Sequence, residues 1–223
     1  MRRHIVITGP GRSGTTLLVQ LFAQLGFETG GRLRPFTATV NAGLEDDILD
    51  PVAPYVVKNP DLSWQLADLL TSGQLSAETI EWLVVPLREL GQATASRVRT
   101  TVAARDIHAP GGLVRTPWPS KQRQHLAETN YALFETAALF ELPLIVLHYP
   151  RFATDHAYAY RRLRPLLADR TEAAFTAALE AVVNPALVND APIQTPRFVT
   201  TRVAAARLRR AAKVGLARAG RRR

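Results

Sequence analysis

Between residues 9 and 16 the chain reads Gly9-Pro10-Gly11-Arg12-Ser13-Gly14-Thr15-Thr16, a glycine-rich turn carrying one cation and three hydroxyls. Glycine lets the backbone take positive φ and aim its N–H groups at an anion, and a helix starting just beyond adds unpaired donors and the positive end of its dipole. The pattern is a cradle for a phosphate or a related oxyanion. The spacing of Gly9 and Gly14 satisfies the outer half of G-x-x-x-x-G-K-[ST], but Thr15 stands where that motif requires lysine. In a nucleoside triphosphatase that lysine reaches the β- and γ-phosphates and the next hydroxyl holds magnesium. With Arg12 as its only cation, this loop suits an anion bound without a metal.

A second grip stands further along. Arg88 follows an apolar run over residues 80–87, and Ser96 lies eight residues later in VVPLRELGQATASR. A cation at a strand end and a hydroxyl two turns into the following helix could converge on one phosphate. Taken alone, the pair reads as a strand-end arginine with a solvated hydroxyl. Beside the loop it reads as a second anion contact.

The elements that must position these groups alternate between strand and helix. Ile5, Val6 and Ile7 suit a strand buried on both faces, and Leu17, Leu18, Leu21, Phe22 and Leu25 repeat at helical spacing behind the loop. Residues 26–54 hold Gly30-Gly31, Pro35, Pro51 and Pro54 and read as a long excursion with at most short helices. Residues 55–58 form a second strand, ended by Asn59-Pro60, with Asp61 placed to cap a helix through Trp64, Leu66, Leu69 and Leu70. Ser76 is placed to cap a short turn. A third strand spans 80–87 and a helix 89–98; residues 102–119 form a second long loop. A helix over 120–141, a fourth strand over 144–148 and helices over 157–167 and 172–183 complete the body. Such alternation predicts an α/β fold of one domain, with a central parallel sheet of about four to five strands flanked by helices and ligands at the carboxyl ends of the strands. Every motif named here falls at such an end.

A chain of 223 residues that is 47% hydrophobic can bury a sizeable core. Cysteine is absent, which excludes disulfides and thiolate metal sites and fits a reducing compartment. No apolar run reaches the ~18 residues of a membrane span, and Met1-Arg2-Arg3 leads into a strand rather than a signal sequence, so a cytoplasmic protein is expected. The net charge of +9 is uneven: ten of the 28 Lys and Arg residues lie after Asp190 with no acid among them, leaving 18 bases against 19 acids in the body. A nucleic-acid-binding domain spreads its basic footprint over a folded face with aromatics for stacking, and this segment has only Phe198, so no nucleic-acid partner is expected. We expect a body over 1–200 and a basic helical tail over 201–223. In that tail Val203, Leu208, Val214 and Leu216 give a thin apolar face. It could make peripheral contact with an anionic membrane at about 1 kcal/mol per basic residue, cover an acidic partner, or stand as a solvated helix that frays after Gly215 and Gly220.

The run Arg12-Ser13-Gly14-Thr15-Thr16 resembles the phosphate loop (P-loop) of the sulfotransferase superfamily, which commonly reads PRSGTT or PKSGTT and binds the phosphosulfate end of 3′-phosphoadenosine 5′-phosphosulfate (PAPS). The resemblance implies a P-loop NTPase-like fold and a PAPS-dependent enzyme, with Gly11, Arg12, Ser13, Gly14, Thr15 and Thr16 as donor contacts. Gly11 stands where the family often has proline, and Leu17 where cytosolic members carry an aromatic near adenine. An arginine and a serine at the separation of Arg88 and Ser96 grip the 3′-phosphate in the family, although Glu89-Leu90 replaces the usual R-x-P start. Lys58-Asn59-Pro60 is similar to the K-x-P of bacterial and carbohydrate-acting members, where lysine stands near the bridging oxygen of the transferred sulfate. A fixed ammonium there stabilises charge that grows on the leaving phosphate.

The acceptor must lose a proton, so a histidine or carboxylate belongs within reach. Cytosolic members use a histidine where this chain has Pro60. Asn41-Ala42-Gly43-Leu44-Glu45-Asp46 resembles the G-x-x-E element of other members and implies Glu45 as the base, with Asp46 and Asp47 adjacent and His108 as a rival; a run of three acids is also an ordinary solvated helix start. His148-Tyr149-Pro150-Arg151 resembles the tyrosine-containing strand end of bacterial members, with His148 read as a structural histidine. Arg105, Arg115, Trp118 and Lys121 lie where an acceptor could be selected. The acceptor class implied is a small molecule, carbohydrate or lipid, and the scheme requires no metal. Two other readings fit the residues: an ATP-dependent small-molecule kinase with a degenerate loop, and a non-catalytic nucleotide-binding or membrane-surface protein.

Overall fold

In the computed structural model, which describes residues 2–36, 42–104, 111–116 and 118–188, the short apolar runs become four strands. These are β1 (His4–Ile7), β2 (Val56–Lys58), β3 (Ile80–Arg88) and β4 (Leu144–Tyr149), paired in parallel in the order β2-β1-β3-β4. Seven α-helices connect and cover them among the described residues: α1 (Thr15–Gln24), α2 (Leu62–Thr71), α3 (Leu90–Ala103), α4 (Pro119–Leu139), α5 (Arg151–Thr154), α6 (His156–Leu163) and α7 (Glu172–Val182). The expected tail over 201–223, the boundary at residue 200, and Asn41, Arg105 and His108 lie outside the described residues.

Side chains alternate across a strand, so β1 supplies both faces of the sheet. Ile5 and Ile7 join Leu18, Phe22, Phe152, Leu163 and Phe175 in a core beneath α1, α6 and α7. Val6 joins Val57, Leu66, Val85, Leu133 and Ala137 in a second core beneath α2 and α4. Each large side chain removed from water contributes about 1.5–3 kcal/mol before entropy is set against it. That two-sided burial is why β1 carries no polar side chain after His4. His4 is itself buried, with Nδ1 2.7 Å from the Pro54 carbonyl.

Strand order fixes where a ligand can enter. From β1 the chain crosses to β2 on one side, then passes back over β1 to β3 on the other. The crevice at such a reversal opens beyond the carboxyl ends of β1 and β3. The glycine-rich turn leaves β1 there, and Arg88 ends β3 there.

Several boundaries differ from expectation for identifiable reasons. Helix α3 runs to Ala103 rather than residue 98, because its inward face is polar; Ser96, Arg97, Thr100 and Thr101 are buried, which erases the apolar period. Glu89 precedes that helix as its cap, accepting from the N–H groups of Gly91 at 2.8 Å and Gln92 at 2.7 Å. Asp61 does not cap α2 with its side chain; Asn59 Oδ1 instead accepts from the Asp61 N–H at 2.9 Å and shapes the turn. Ser76 likewise contributes its carbonyl, not its hydroxyl, to the turn before β3. His148, read as a structural histidine, is exposed, and its backbone N–H donates to Tyr158 Oη at 3.0 Å.

Gly14 sits at the start of α1 with φ of 96°, and a Cβ there would come within 2.8 Å of both Phe152 and Tyr149. Gly73 also has positive φ, at 72°, but has open space around it. We expect Gly14→Ala to lower unfolding stability by roughly 2–4 kcal/mol, backbone strain and overpacking together. Gly73→Ala should cost about 1 kcal/mol from strain alone. Urea denaturation of both variants checks the difference; equal losses would mean the Phe152 wall yields.

Candidate functional site

The turn after β1 holds Arg12 in the left-handed region, φ 74°, a conformation that a non-glycine residue keeps only when its surroundings enforce it. Two residues supply the restraint. Arg88 Nη1 donates to the Arg12 carbonyl at 3.2 Å, and Arg12 Nε donates to Ser96 Oγ at 3.1 Å. The Ser96 hydroxyl accepts that bond and keeps its own hydrogen for another acceptor. The Arg88 guanidinium also lies over the Tyr149 ring, 4.9 Å from its centroid. Ser13 Oγ donates to the Pro10 carbonyl at 2.9 Å and closes the turn. Helix α1 begins with no side-chain cap, so its first N–H groups, at Thr15 and Thr16, have no intrahelical partner and face the cavity end of the loop.

Lys58 ends β2 with its side chain only 2% exposed. Its Nζ donates to the Gly43 carbonyl and to Glu45 Oε1, the latter at 3.3 Å. Glu45 is held between two strand-like pieces: its carbonyl accepts from Leu33 N–H at 2.9 Å, its N–H donates to the Arg34 carbonyl at 3.1 Å, and the next N–H, of Asp46, donates to the Lys58 carbonyl at 3.0 Å. The second carboxylate oxygen, Oε2, lies 3.0 Å from Arg34 Nη1 in an ion pair that lacks hydrogen-bond alignment. Arg34 Nη2 stands 3.8 Å from Asp61 Oδ2.

The three consecutive acids part company here. Asp46 turns away to accept from the N–H groups of Gly31 at 2.9 Å and Arg32 at 3.0 Å, and exposed Asp47 accepts from Leu49 N–H at 3.0 Å. Glu45 alone of the three faces the cavity.

One cavity of about 950 Å³ collects these groups: Arg12, Lys58 and Arg88 from three strand ends, with Ser96 and Glu45, all line it. Arg97, which the sequence reading passed over, is 5% exposed and lines it too. Its Nη1 donates to the Gly112 carbonyl at 2.5 Å, its Nη2 would be 3.3 Å from a Cβ on Gly11, and its buried Nε has no hydrogen-bond partner. Burial, and then the charge of Arg12, hold its pKa down to about 10, so it stays charged at neutral pH. Burial also lowers Arg12, with Arg88 adding to it, and lowers Lys58, with Glu45 opposing. The signal for Arg97 was present in the helical stripe Ser96, Arg97 and Thr100, which follows Arg88 on one face. Of the residues considered for acceptor selection, Arg115 lines the cavity, whereas Trp118 and Lys121 do not.

The backbone aligns with a solved structure described as the sulfotransferase domain from the curacin biosynthetic pathway, at a TM-score of 0.51 over 92% of this chain and 97% of that one. The chain has a sulfotransferase fold. Sequence identity over the alignment is 14%, so the likeness carries the architecture and leaves the chemistry to the residues themselves. No family model matches the chain, and no curated protein matches it in sequence. Among the described residues of this sulfotransferase fold, no helix is long and apolar enough to cross a membrane.

Breaking a buried pair by removing one partner costs more than the pair contributes, because a charge is left stranded. Glu45→Gln should therefore lower stability by about 3 kcal/mol at pH 7. Lys58 in the folded protein lies below its unfolded value, so the unfolded chain holds the extra proton between the two and stability rises with pH across that window. Removing Glu45 lowers Lys58 further and opens the window at lower pH. Urea midpoints measured from pH 7 to 10 should show the Glu45→Gln deficit shrinking, and Lys58→Met added to Glu45→Gln should recover most of it. A deficit independent of pH would place its origin elsewhere.

Proposed function

We propose that the protein transfers a sulfuryl group from PAPS to a hydroxyl or amine of a small-molecule, carbohydrate or lipid acceptor. The observation that supports this reading best is the meeting of Arg12, Lys58 and Arg88, from three different strand ends, around one cavity. The residues fit such a donor. Unpaired N–H groups at the start of α1 and the unpartnered Nε of Arg97 call for an anion, and 950 Å³ is at the upper end of the ~300–1,000 Å³ of small-molecule sites, enough for two reactants.

In this reading Gly11, Ser13, Gly14, Thr15 and Thr16 offer the phosphosulfate end their N–H donors, and Thr15 and Thr16 their hydroxyls, with Arg12 as the adjacent charge. Arg88 and the free hydrogen of Ser96 hold the 3′-phosphate, and Arg97 reinforces both from beneath. During transfer the bond between sulfur and the bridging phosphate oxygen breaks as the bond from the acceptor atom to sulfur forms. The leaving 3′,5′-adenosine bisphosphate keeps the electron pair, Lys58 steadies the charge that grows on it, and Glu45 takes the acceptor proton. Lys58 also orients Glu45 through their direct bond, and Arg34 holds the other oxygen of the same carboxylate. The scheme relies on positioning and fixed charge and routes no step through a metal.

Calorimetry tests the donor. 3′,5′-Adenosine bisphosphate should bind at least about tenfold more tightly than ADP, since only it offers Arg88 and Ser96 a 3′-phosphate and a charge-assisted contact is worth about that much. The preference should fall in Arg88→Ala and, with the loop contacts of Arg88 left intact, in Ser96→Ala. Equal affinity for the two nucleotides in the parent protein would refute the donor. With labelled PAPS, Lys58→Ala should reduce sulfate transfer by about 10²- to 10³-fold while leaving bisphosphate binding within a few-fold.

A further inference from the structure

Among the described residues seven Lys and Arg side chains line the cavity against two carboxylates, Glu45 and Asp61. Both acids are already engaged, Glu45 by Lys58 and Arg34 and Asp61 by Arg34. A donor such as PAPS brings about four negative charges, two on the 3′-phosphate and two on the phosphosulfate. In the proposed donor site those charges fall to Arg12, Arg88 and Arg97, which leaves Arg115 among the lining cations still to be assigned.

Arg115 lines the same cavity from the segment that precedes α4. Its guanidinium lies over the Trp64 ring of α2, 4.8 Å from the centroid. Among the described residues no carboxylate pairs with it. Its backbone has φ of 58°, and the segment is fastened on both sides: Gly112 carbonyl to Arg97, Leu113 N–H to Thr101 Oγ1 at 2.8 Å, and Val114 N–H to Gln122 Oε1 at 3.0 Å. A stacked guanidinium keeps its edge donors in plane and ready for a two-point contact with a carboxylate or phosphate. Phe36, Leu113 and Val114 contribute apolar surface to the same cavity.

From this we infer that the acceptor carries its own anionic group, a carboxylate or a phosphate ester, and that Arg115 on its Trp64 platform selects for it. The inference rests on the sulfotransferase reading and narrows its substrate class. An acceptor of this kind would place its apolar body along Phe36 and Leu113, its acid on Arg115, and its nucleophile toward Lys58 and Glu45. His125 reports on the same place. Desolvation first, then the charges of Arg115 and Arg97, hold its pKa below the usual histidine value, with Glu128 opposing. An anion on Arg115 would relieve part of that depression.

The experiment uses the full chain saturated with 3′,5′-adenosine bisphosphate, so that the donor contacts are filled. Calorimetry compares 4-hydroxyphenylacetate with its uncharged amide, and inorganic phosphate serves as a probe without a scaffold. The acid should bind at least about tenfold more tightly than the amide, a charge-assisted contact being worth that much. Phosphate should bind one per chain. In Arg115→Gln the preference should fall to within twofold and phosphate binding should weaken at least tenfold, while bisphosphate affinity changes less than twofold. Arg115→Lys, which keeps the charge but loses the planar fork, should retain part of the preference and guards against a folding defect in the glutamine variant. By NMR, the His125 pKa should rise as phosphate saturates the parent protein and stay fixed in Arg115→Gln. Equal or undetectable binding of acid and amide, or a preference that survives in Arg115→Gln, overturns the inference. Failure of the bisphosphate itself to bind overturns the donor assignment instead, and the difference in phosphate binding between the nucleotide-free parent and Arg115→Gln then still reads Arg115.

Discussion

The burial of several cations beside one another is the constraint around which this end of the molecule is arranged. Arg12, Lys58 and Arg97 all lie below their usual pKa because burial strips their charge of water, and Arg12 is depressed further by Arg88 and Arg97 by Arg12. A fold concentrates like charges in this way only where something else compensates them. Glu45 does so for Lys58, and backbone carbonyls do so for single donors of Arg88 and Arg97. In the proposed reaction an anionic donor supplies further compensation from outside the chain.

The sheet makes this concentration tolerable by supplying stability elsewhere. Two apolar cores, one on each face, meet at β1, whose Ile5, Val6 and Ile7 are almost wholly buried. Strain at the site, such as left-handed Arg12, is set against that packing. Strand order then determines which groups become neighbours. Arg12 and Arg88 are distant in sequence yet leave adjacent strands, and Lys58 leaves the strand on the other side of β1.

Much of this was legible in the sequence because it depends on short apolar runs and on residue types at strand ends. The four strands, the helix after the glycine-rich turn and the gathering of Arg12, Lys58, Arg88, Ser96 and Glu45 at one cavity follow that logic. What escaped was carried by long-range geometry. Arg97 was not singled out from the sequence, and its place against Gly11 and Gly112 comes from the tertiary packing. Three successive acids gave no means of choosing among them until Asp46 was seen to be occupied by the N–H groups of Gly31 and Arg32. Asp61 has the residue type of a helix cap, but Asn59 reaches the turn first and leaves the aspartate facing Arg34.

Arg97 touches the glycine-rich turn with one edge and carries the Gly112 carbonyl on another, so it is common property of both halves of the cavity. No replacement there can act on one half alone. Apparent affinities for two partners would drift together in such a variant, and an investigator wishing to separate them kinetically is better served by residues that belong to a single wall.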